Sequence, residues 1–338
     1  MRTVVIGAGR MGLRHVEVVQ QLGMEIVAVA DGRADALKAA TDQRGIPADR
    51  CYADGIDAIA RNSPECVVVS TTAPSHAALV LEAARRGAKW ILCEKPLAVS
   101  LAECDEMIAA CKSAGALLAV NHQMRFMEQY TIPKGLLDSE SLGGFQSATV
   151  VTGNFGLAMN GTHYFEMFRY MAGEPAAEVS AWFSKDTVAN PRGAEFVDRA
   201  GSIRAVTKSG KRFYLDASSD QGHGMTAMYT GRNGQIVIDE LAGAMRTTAR
   251  NAEHRELPTT RYGMPFSQET QQIKPADSLA PTKSVLEALL AGENYPTGEE
   301  GRAAVATLIA AYISNEQGGC TVSVERANER REEKFPWA

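Results

Sequence analysis

Three glycines near the start of the chain are spaced to receive a phosphate. An apolar run at residues 3–6, Thr3-Val-Val-Ile6, leads directly into Gly7-x-Gly9-x-x-Gly12. In such a turn the first glycine permits the sharp exit from a strand. The second leaves the backbone open to close approach, and the third lets the next helix pack on the sheet. The N–H groups that begin that helix, around Arg10 and Met11, would meet an anion with the positive end of the helix dipole. A second apolar run at 26–30 ends on Asp31, 19 residues after Gly12. A carboxylate there accepts both hydroxyls of an adenosine ribose. A glycine turn alone signals only a tight strand–helix connection; strand, turn, helix and acid together predict a dinucleotide site. Asp31 repels a 2′-phosphate, so NAD is expected over NADP. Arg33, otherwise a solvated charge, would serve a 2′-phosphate if Asp31 turned away, which keeps NADP open as an alternative.

Glu94-Lys95-Pro96-Leu97 follows a short apolar run at 90–93. Ligands of a doubly wound sheet bind beyond the carboxyl ends of its strands, so Lys95 is expected where the reactive end of the cofactor lies. A partly desolvated lysine has a lowered pKa and can donate to a substrate hydroxyl or a developing alkoxide. Glu94 would hold its orientation. The competing reading is a solvated Glu-Lys pair in a turn.

These segments form a larger pattern. Gly7-Ala-Gly-Arg-Met-Gly12, Ser70-Thr71-Thr-Ala-Pro74-Ser-His76 and Glu94-Lys-Pro-Leu97 together resemble the Gfo/Idh/MocA oxidoreductases, a family named for glucose–fructose oxidoreductase, inositol dehydrogenase and a rhizopine-catabolism protein. The resemblance runs over nearly the whole chain and includes Tyr295-Pro-Thr-Gly-Glu-Glu-Gly301 before a final helix. It implies that Lys95 contacts substrate and assists proton transfer. It also implies that Thr71 binds the cofactor and that the Pro74-x-His76 segment borders its nicotinamide half, with His76 positioning it. Gly161-Thr-His163-Tyr-Phe-Glu166 resembles the family's second catalytic element, which makes His163 a general base for a substrate hydroxyl. The family commonly places an aspartate four residues before that histidine; here Met159 stands there. Either Asn160 or Glu166 then supplies polar support, or His163 works with Lys95 alone. Asn121 and Arg125, in Asn121-His122-Gln-Met-Arg125-Phe126, resemble the stretch that closes on substrate; His122 is a weaker candidate. His223, flanked by glycines, is expected in a surface loop. The implied reaction exchanges a hydride between nicotinamide and a CH–OH carbon of a sugar, cyclitol, amino sugar or nucleotide sugar. Two rival readings are an NAD-dependent glycoside hydrolase working by transient oxidation and a non-catalytic dinucleotide sensor.

The elements that must hold these residues alternate regularly at first. Apolar runs at 3–6, 26–30, 66–70, 90–93 and 117–120 are separated by helical stretches at 13–22, 34–44, 75–86 and 101–114. This rhythm predicts an α/β Rossmann domain over residues 1–120, a doubly wound parallel sheet with helices on both faces. After Asn121 the pattern changes to long alternating segments and turn signals, including Arg232-Asn-Gly-Gln235. A helix at 161–171 and two more at 278–290 and 299–316 complete an expected α+β domain over 121–338. Its large, open, mostly antiparallel sheet is expected to join subunits into a homodimer or homotetramer, as the resemblance implies. The tail at 325–334 is charged and expected to be loosely held.

Composition excludes several classes. With 45% hydrophobic and 22% charged residues and a net charge of −5, the chain is an ordinary globular one without a basic run for nucleic acid or an anionic membrane surface. Six cysteines show no C-x-x-C pair and no zinc spacing, so no metal is expected and reduced thiols are. Without a cationic leader or a long apolar stretch, a cytoplasmic location is expected.

Overall fold

The computed structural model describes residues 1–153, 155–218, 220–222, 224–258 and 264–338. Through the first 120 residues, strands and helices alternate as β1 (Arg2–Ile6), α1 (Arg10–Gln21), β2 (Glu25–Ala30), α2 (Ala34–Arg44), β3 (Cys51–Tyr52), α3 (Gly55–Asn62), β4 (Cys66–Val69), α4 (His76–Arg85), β5 (Trp90–Cys93), α5 (Leu101–Ala114) and β6 (Leu117–Val120). The six strands form one parallel sheet in the order β3-β2-β1-β4-β5-β6. β4 is buried along its whole length, as a strand covered on both faces must be. The strand order reverses between β1 and β4, which opens a crevice at their carboxyl ends. α1 begins one turn earlier than the apolar spacing suggests, because the helix starts directly on Gly9.

The second half contains α6 (Glu128–Leu137), β7 (Phe145–Gly153), α7 (Thr162–Ala172), β8 (Ala176–Val188), β9 (Asp198–Thr207), β10 (Arg212–Ser218), β11 (Met225–Gly231), β12 (Gly234–Asp239), β13 (Ala244–Arg250), β14 (Phe266–Gln272), α8 (Leu279–Ala291), α9 (Gly298–Glu316) and β15 (Val322–Ser323). Its nine-stranded sheet runs β14-β13-β12-β11-β7-β10-β9-β8-β15, antiparallel except where β10 lies parallel to β7. The inner face packs on α7: Phe168 stacks on Phe213 at 5.3 Å between ring centroids, with Phe165 edge-on to the same ring at 6.3 Å. Burying each such ring contributes about 2–3 kcal/mol. Opposite, Val151, Trp182 and Tyr214 stand exposed on the outer face. The Thr297–Glu300 capping box starts α9.

Four features depart from the sequence pattern. β13 and β14 lie at one edge of the sheet; β14 is exposed nearly throughout and so carries no apolar alternation to reveal it. α8, although it follows the large sheet, returns to the first domain, where Val285, Leu286 and Leu289 join one cluster with Val16, Val18 and Val19. The 120/121 boundary thus separates the sheets but not the helices. The charged tail is not loosely held. Trp337 is fully buried and stacks on Phe335 at 4.7 Å. Arg331 pairs with Asp105, and Lys334 with Glu103. Aromatic burial beyond the charged run overrides its polarity. Finally, a single π-helical turn at Leu157–Gly161 precedes α7. Among the described residues no helix is long and apolar enough to cross a membrane.

Candidate active site

The crevice at the end of β1 is shaped for a pyrophosphate. Gly7 takes φ +90°, and a Cβ on Gly12 would lie 1.8 Å from the Gly7 carbonyl oxygen, so side chains are barred at both positions. No side chain caps the N-terminus of α1, which leaves its first N–H groups free for an anion. Beyond β2, Asp31 accepts the Ala8 N–H at 2.8 Å and the Arg33 N–H at 2.9 Å. Its carboxylate is thereby tied to the glycine turn itself. Arg33 also reaches Asp31 with Nε at 3.4 Å, and its guanidinium lies 3.5 Å from where a Gly9 Cβ would stand. Gly7, Gly9, Gly12 and Asp31, with the exposed Arg10 and half-buried Met11, fit a dinucleotide. Thr71 and the exposed Pro74 follow β4 across the crevice.

His76 is fully buried, and its ring nitrogens face the carbonyls of Pro96, Leu97 and Thr71 at 3.1, 3.2 and 3.2 Å. Its side chain therefore braces the Lys95-Pro96-Leu97 turn, whose Lys95–Pro96 peptide is cis. Burial lowers its pKa. Glu94 is likewise a scaffold residue. It pairs with His15 Nε2 at 2.8 Å and accepts the Asn121 Nδ2 donor at 2.8 Å. Burial opposes its ionisation, but these bonds and the charges of His15 and Lys95 outweigh it and hold the carboxyl below the usual range. Asn121 is fully buried and donates its Nδ2 to Glu94, which makes it part of the framework beneath Lys95.

Lys95 reaches across to the second domain, where Nζ donates to the Met159 carbonyl. Burial lowers its pKa to about 8, helped by Arg192 and opposed by Glu94 and Asp198. The turn it meets is held from behind. Asp198, at the start of β9, accepts the Ala158 and Met159 N–H groups at 2.8 Å each. Burial raises its pKa. A Cβ on Gly156 would lie 2.0 Å from the Asp198 carboxyl carbon, so the glycine makes room for the carboxylate. Asp198 was not legible in the sequence, because no motif or spacing links it to His163.

His163 opens α7 four residues after Met159. Its ring lies edge-on to His122 at 5.5 Å, and its buried Nδ1 has no partner among the described residues. Burial, with the charge of Lys95, pushes its pKa well below the ordinary value. Burial also takes His122 down to about 3. Both imidazoles are therefore neutral at physiological pH, and a neutral imidazole can accept a proton. Glu166 does not support His163: it pairs with Arg169 at 2.6 Å and with Arg125 at 3.4 Å. Arg125 also binds Glu300 at 3.0 Å, which makes it a member of this ionic cluster. Asn160 does line, with His163, a cavity of about 140 Å³. His223 and Asn154 lie outside the described residues.

A sequence model described as "Oxidoreductase family, NAD-binding Rossmann fold" (GFO_IDH_MocA) matches residues 1–122. The chain is 27% identical over 263 residues to a myo-inositol 2-dehydrogenase of Thermotoga maritima, covering 71% of this chain and 76% of that one. It is 30% identical over 243 residues to the uncharacterized oxidoreductase YrbE of Bacillus subtilis, covering 66% and 68%. An oxidoreductase from Agrobacterium radiobacter, solved with NAD+, L-tartaric acid and magnesium, shares the fold with a TM-score of 0.80 at 21% identity, over 96% of this chain and 98% of that one. With the glycine turn, Asp31 and Lys95 in place, the chain belongs to the Gfo/Idh/MocA family of oxidoreductases, built on an NAD-binding Rossmann fold.

Proposed function

We propose that the protein is a dehydrogenase or reductase acting on a CH–OH carbon of a sugar, cyclitol, amino sugar or nucleotide sugar. The observation that carries this reading is the contact of Lys95 with the turn that delivers His163. One basic group from each domain thus borders the end of the dinucleotide crevice. The resemblance to a myo-inositol 2-dehydrogenase supports a polyhydroxylated substrate. His163, neutral and buried, takes the proton of the reacting hydroxyl. Lys95, as an ammonium, stabilises the oxygen that carries the developing charge. Bound NAD supplies the electron-pair acceptor for the reacting carbon. Asp198 acts through backbone bonds to fix the turn between the two. Glu94, Asn121 and His76 keep Lys95 and its turn in register. Arg33 beside Asp31 leaves room in this reading for some use of NADP.

The exposed outer face of the nine-stranded sheet, with Trp182, Tyr214 and Val151, supports association into a dimer or tetramer. The unpaired buried cysteines support a cytoplasmic setting. The test follows reduced-nicotinamide absorbance with NAD or NADP and a panel of sugars, cyclitols, amino sugars and nucleotide sugars. Turnover of one class, lost in both Lys95→Ala and His163→Ala, is expected. Glycoside cleavage without net reduction would replace this reading with the hydrolase. Tight NAD binding with no reaction on any class would replace it with the sensor.

A further inference from the structure

The cavity beside His163 contains a buried carboxyl group without a basic partner among the described residues. Glu240, directly after β12, lines it and is only 2% exposed. One carboxylate oxygen accepts the Tyr130 hydroxyl at 2.7 Å, the other the Tyr164 hydroxyl at 3.0 Å. Among the described residues no lysine, arginine or histidine pairs with it, and the neighbouring charge, Asp239, has the same sign. Burial raises its pKa to about 7. A carboxylate offers about four acceptor positions, so the two tyrosines leave capacity on the cavity side. The remaining walls include Met124, Met127, Phe155 and Met225. Such walls exclude water and strengthen a charge pair formed inside. Thioether and aromatic groups also suit the carbon skeleton beside a cationic head.

We propose that this cavity is a subsite for a protonated amino group, with Glu240 as its counter-ion, so that the preferred substrate is an amino-substituted sugar or cyclitol. The inference rests on the dehydrogenase reading for what happens at His163, but the subsite itself is a matter of binding. A hydroxyl in the same place would hydrogen-bond to Glu240 without neutralising it. An ammonium supplies the missing charge and up to three donors. Because His163 lines the same cavity, the amino-bearing carbon would lie close to the carbon being oxidised. The competing account makes Glu240 a protonated tie between β12, α6 and α7, with no ligand of its own.

Calorimetric titration of the full chain, with and without NAD, tests this using two matched pairs at about pH 7, where the amine is protonated and Glu240 is partly ionised and open to full ionisation by a cationic partner: glucosamine against glucose, and scyllo-inosamine against scyllo-inositol. The expected result is that at least one amine binds about tenfold or more tightly than its hydroxyl counterpart. Glu240→Gln should remove that preference. Met225→Lys, which places an ammonium on the cavity wall, should also remove it while keeping the carboxylate and its tyrosine bonds. Melting temperature and NAD affinity confirm that both variants fold. Equal binding within both pairs, no binding of any member, or a preference that survives Glu240→Gln would overturn the proposal. Turnover is scored separately. Oxidation of a hydroxyl substrate without amine preference overturns the subsite and leaves the dehydrogenase standing. Amine-selective binding without turnover of any substrate does the reverse.

Discussion

Asp198 holds Met159 by its backbone N–H at 2.8 Å, and the carbonyl of the same residue receives Lys95 Nζ. A carboxylate is therefore present behind the turn before His163, although the sequence has Met159 where the resemblance implies an aspartate. It arrives from β9 and acts on backbone, so the methionine side chain is not asked to do anything polar. The charge of Asp198 also raises the Lys95 pKa. Asp198→Asn presents a donor to one of two N–H groups and removes that charge. The expected cost is about 1–3 kcal/mol for the unsatisfied group, read as lower kcat with NAD affinity unchanged. The alkaline limit of the pH profile should move to lower pH. A purely structural role would reduce the melting temperature and leave that limit in place.

In the proposed mechanism the pH dependence of alcohol oxidation follows from Lys95. Its stabilising form is the ammonium, and burial brings its pKa to about 8. Activity is therefore present below about pH 8 and falls as pH rises through it. His163 is held well below its ordinary pKa, so it is already deprotonated through neutral pH and imposes no limit there. The profile of kcat/KM reports the free enzyme. Lys95→Arg should lower the rate but abolish the alkaline limb, since guanidinium does not titrate in that range. An unchanged limb in that variant would remove Lys95 from the assignment.

The part of the site visible in the sequence is the part built locally. Gly7, Gly9, Gly12 and Asp31 belong to one strand–turn–helix–strand unit, and spacing alone positions them. Lys95 lies two residues beyond β5 of the same sheet, but it is the resemblance, not that position, that distinguishes it from a solvated turn lysine. Asp198 and Glu240 are not legible, because each meets its partners through the long-range pairing of the second sheet. The resemblance singled out Asn121 and Arg125 for substrate, but their ties to Glu94 and Glu300, which come from other segments, were not legible in it. Met159 shows a further limit, since its side chain suggests no role and its carbonyl has one.

Cofactor choice should be switchable at Asp31. The carboxylate is fixed by the Ala8 N–H, and Arg33 is held against it at 3.4 Å. Asp31→Ser removes the repulsion toward a 2′-phosphate and frees the Arg33 guanidinium to bind it. Affinity for NADP, measured by fluorescence titration, should rise about tenfold or more relative to NAD. In Asp31→Ser combined with Arg33→Ala, NAD should bind more weakly than to the wild type, because the ribose hydroxyls lose their carboxylate, and the gain for NADP should disappear. A gain that persisted would mean that another cation receives the phosphate.

Association through the outer face of the large sheet is tested where the sheet is apolar yet exposed. Tyr214 and Val151 sit on paired strands β10 and β7, and Trp182 lies across β9 from them. Tyr214→Glu with Val151→Glu places two charges on that face without touching the core. Sedimentation should then show monomer in place of the dimer or tetramer, with NAD affinity retained. If the wild-type chain already sediments as a monomer, this face is not an interface.

The buried tail connects stability to the active turn. Trp337 Nε1 donates to the Tyr312 hydroxyl at 3.3 Å, and the Pro336 carbonyl accepts the Val197 N–H at 2.8 Å. Val197 precedes Asp198, so the tail braces the start of the strand that carries the carboxylate. Trp337→Ala leaves a large cavity beside Phe335 and Tyr312, and such losses cost about 3–5 kcal/mol. Denaturant unfolding should show that loss as a lower midpoint. If the brace also sets the position of Asp198, kcat should fall at temperatures where the variant is fully folded, and its pH profile should shift in the same direction as that of Asp198→Asn. A lower midpoint with an unchanged profile would confine the tail to stability. No change in midpoint would contradict the packing of Trp337 itself.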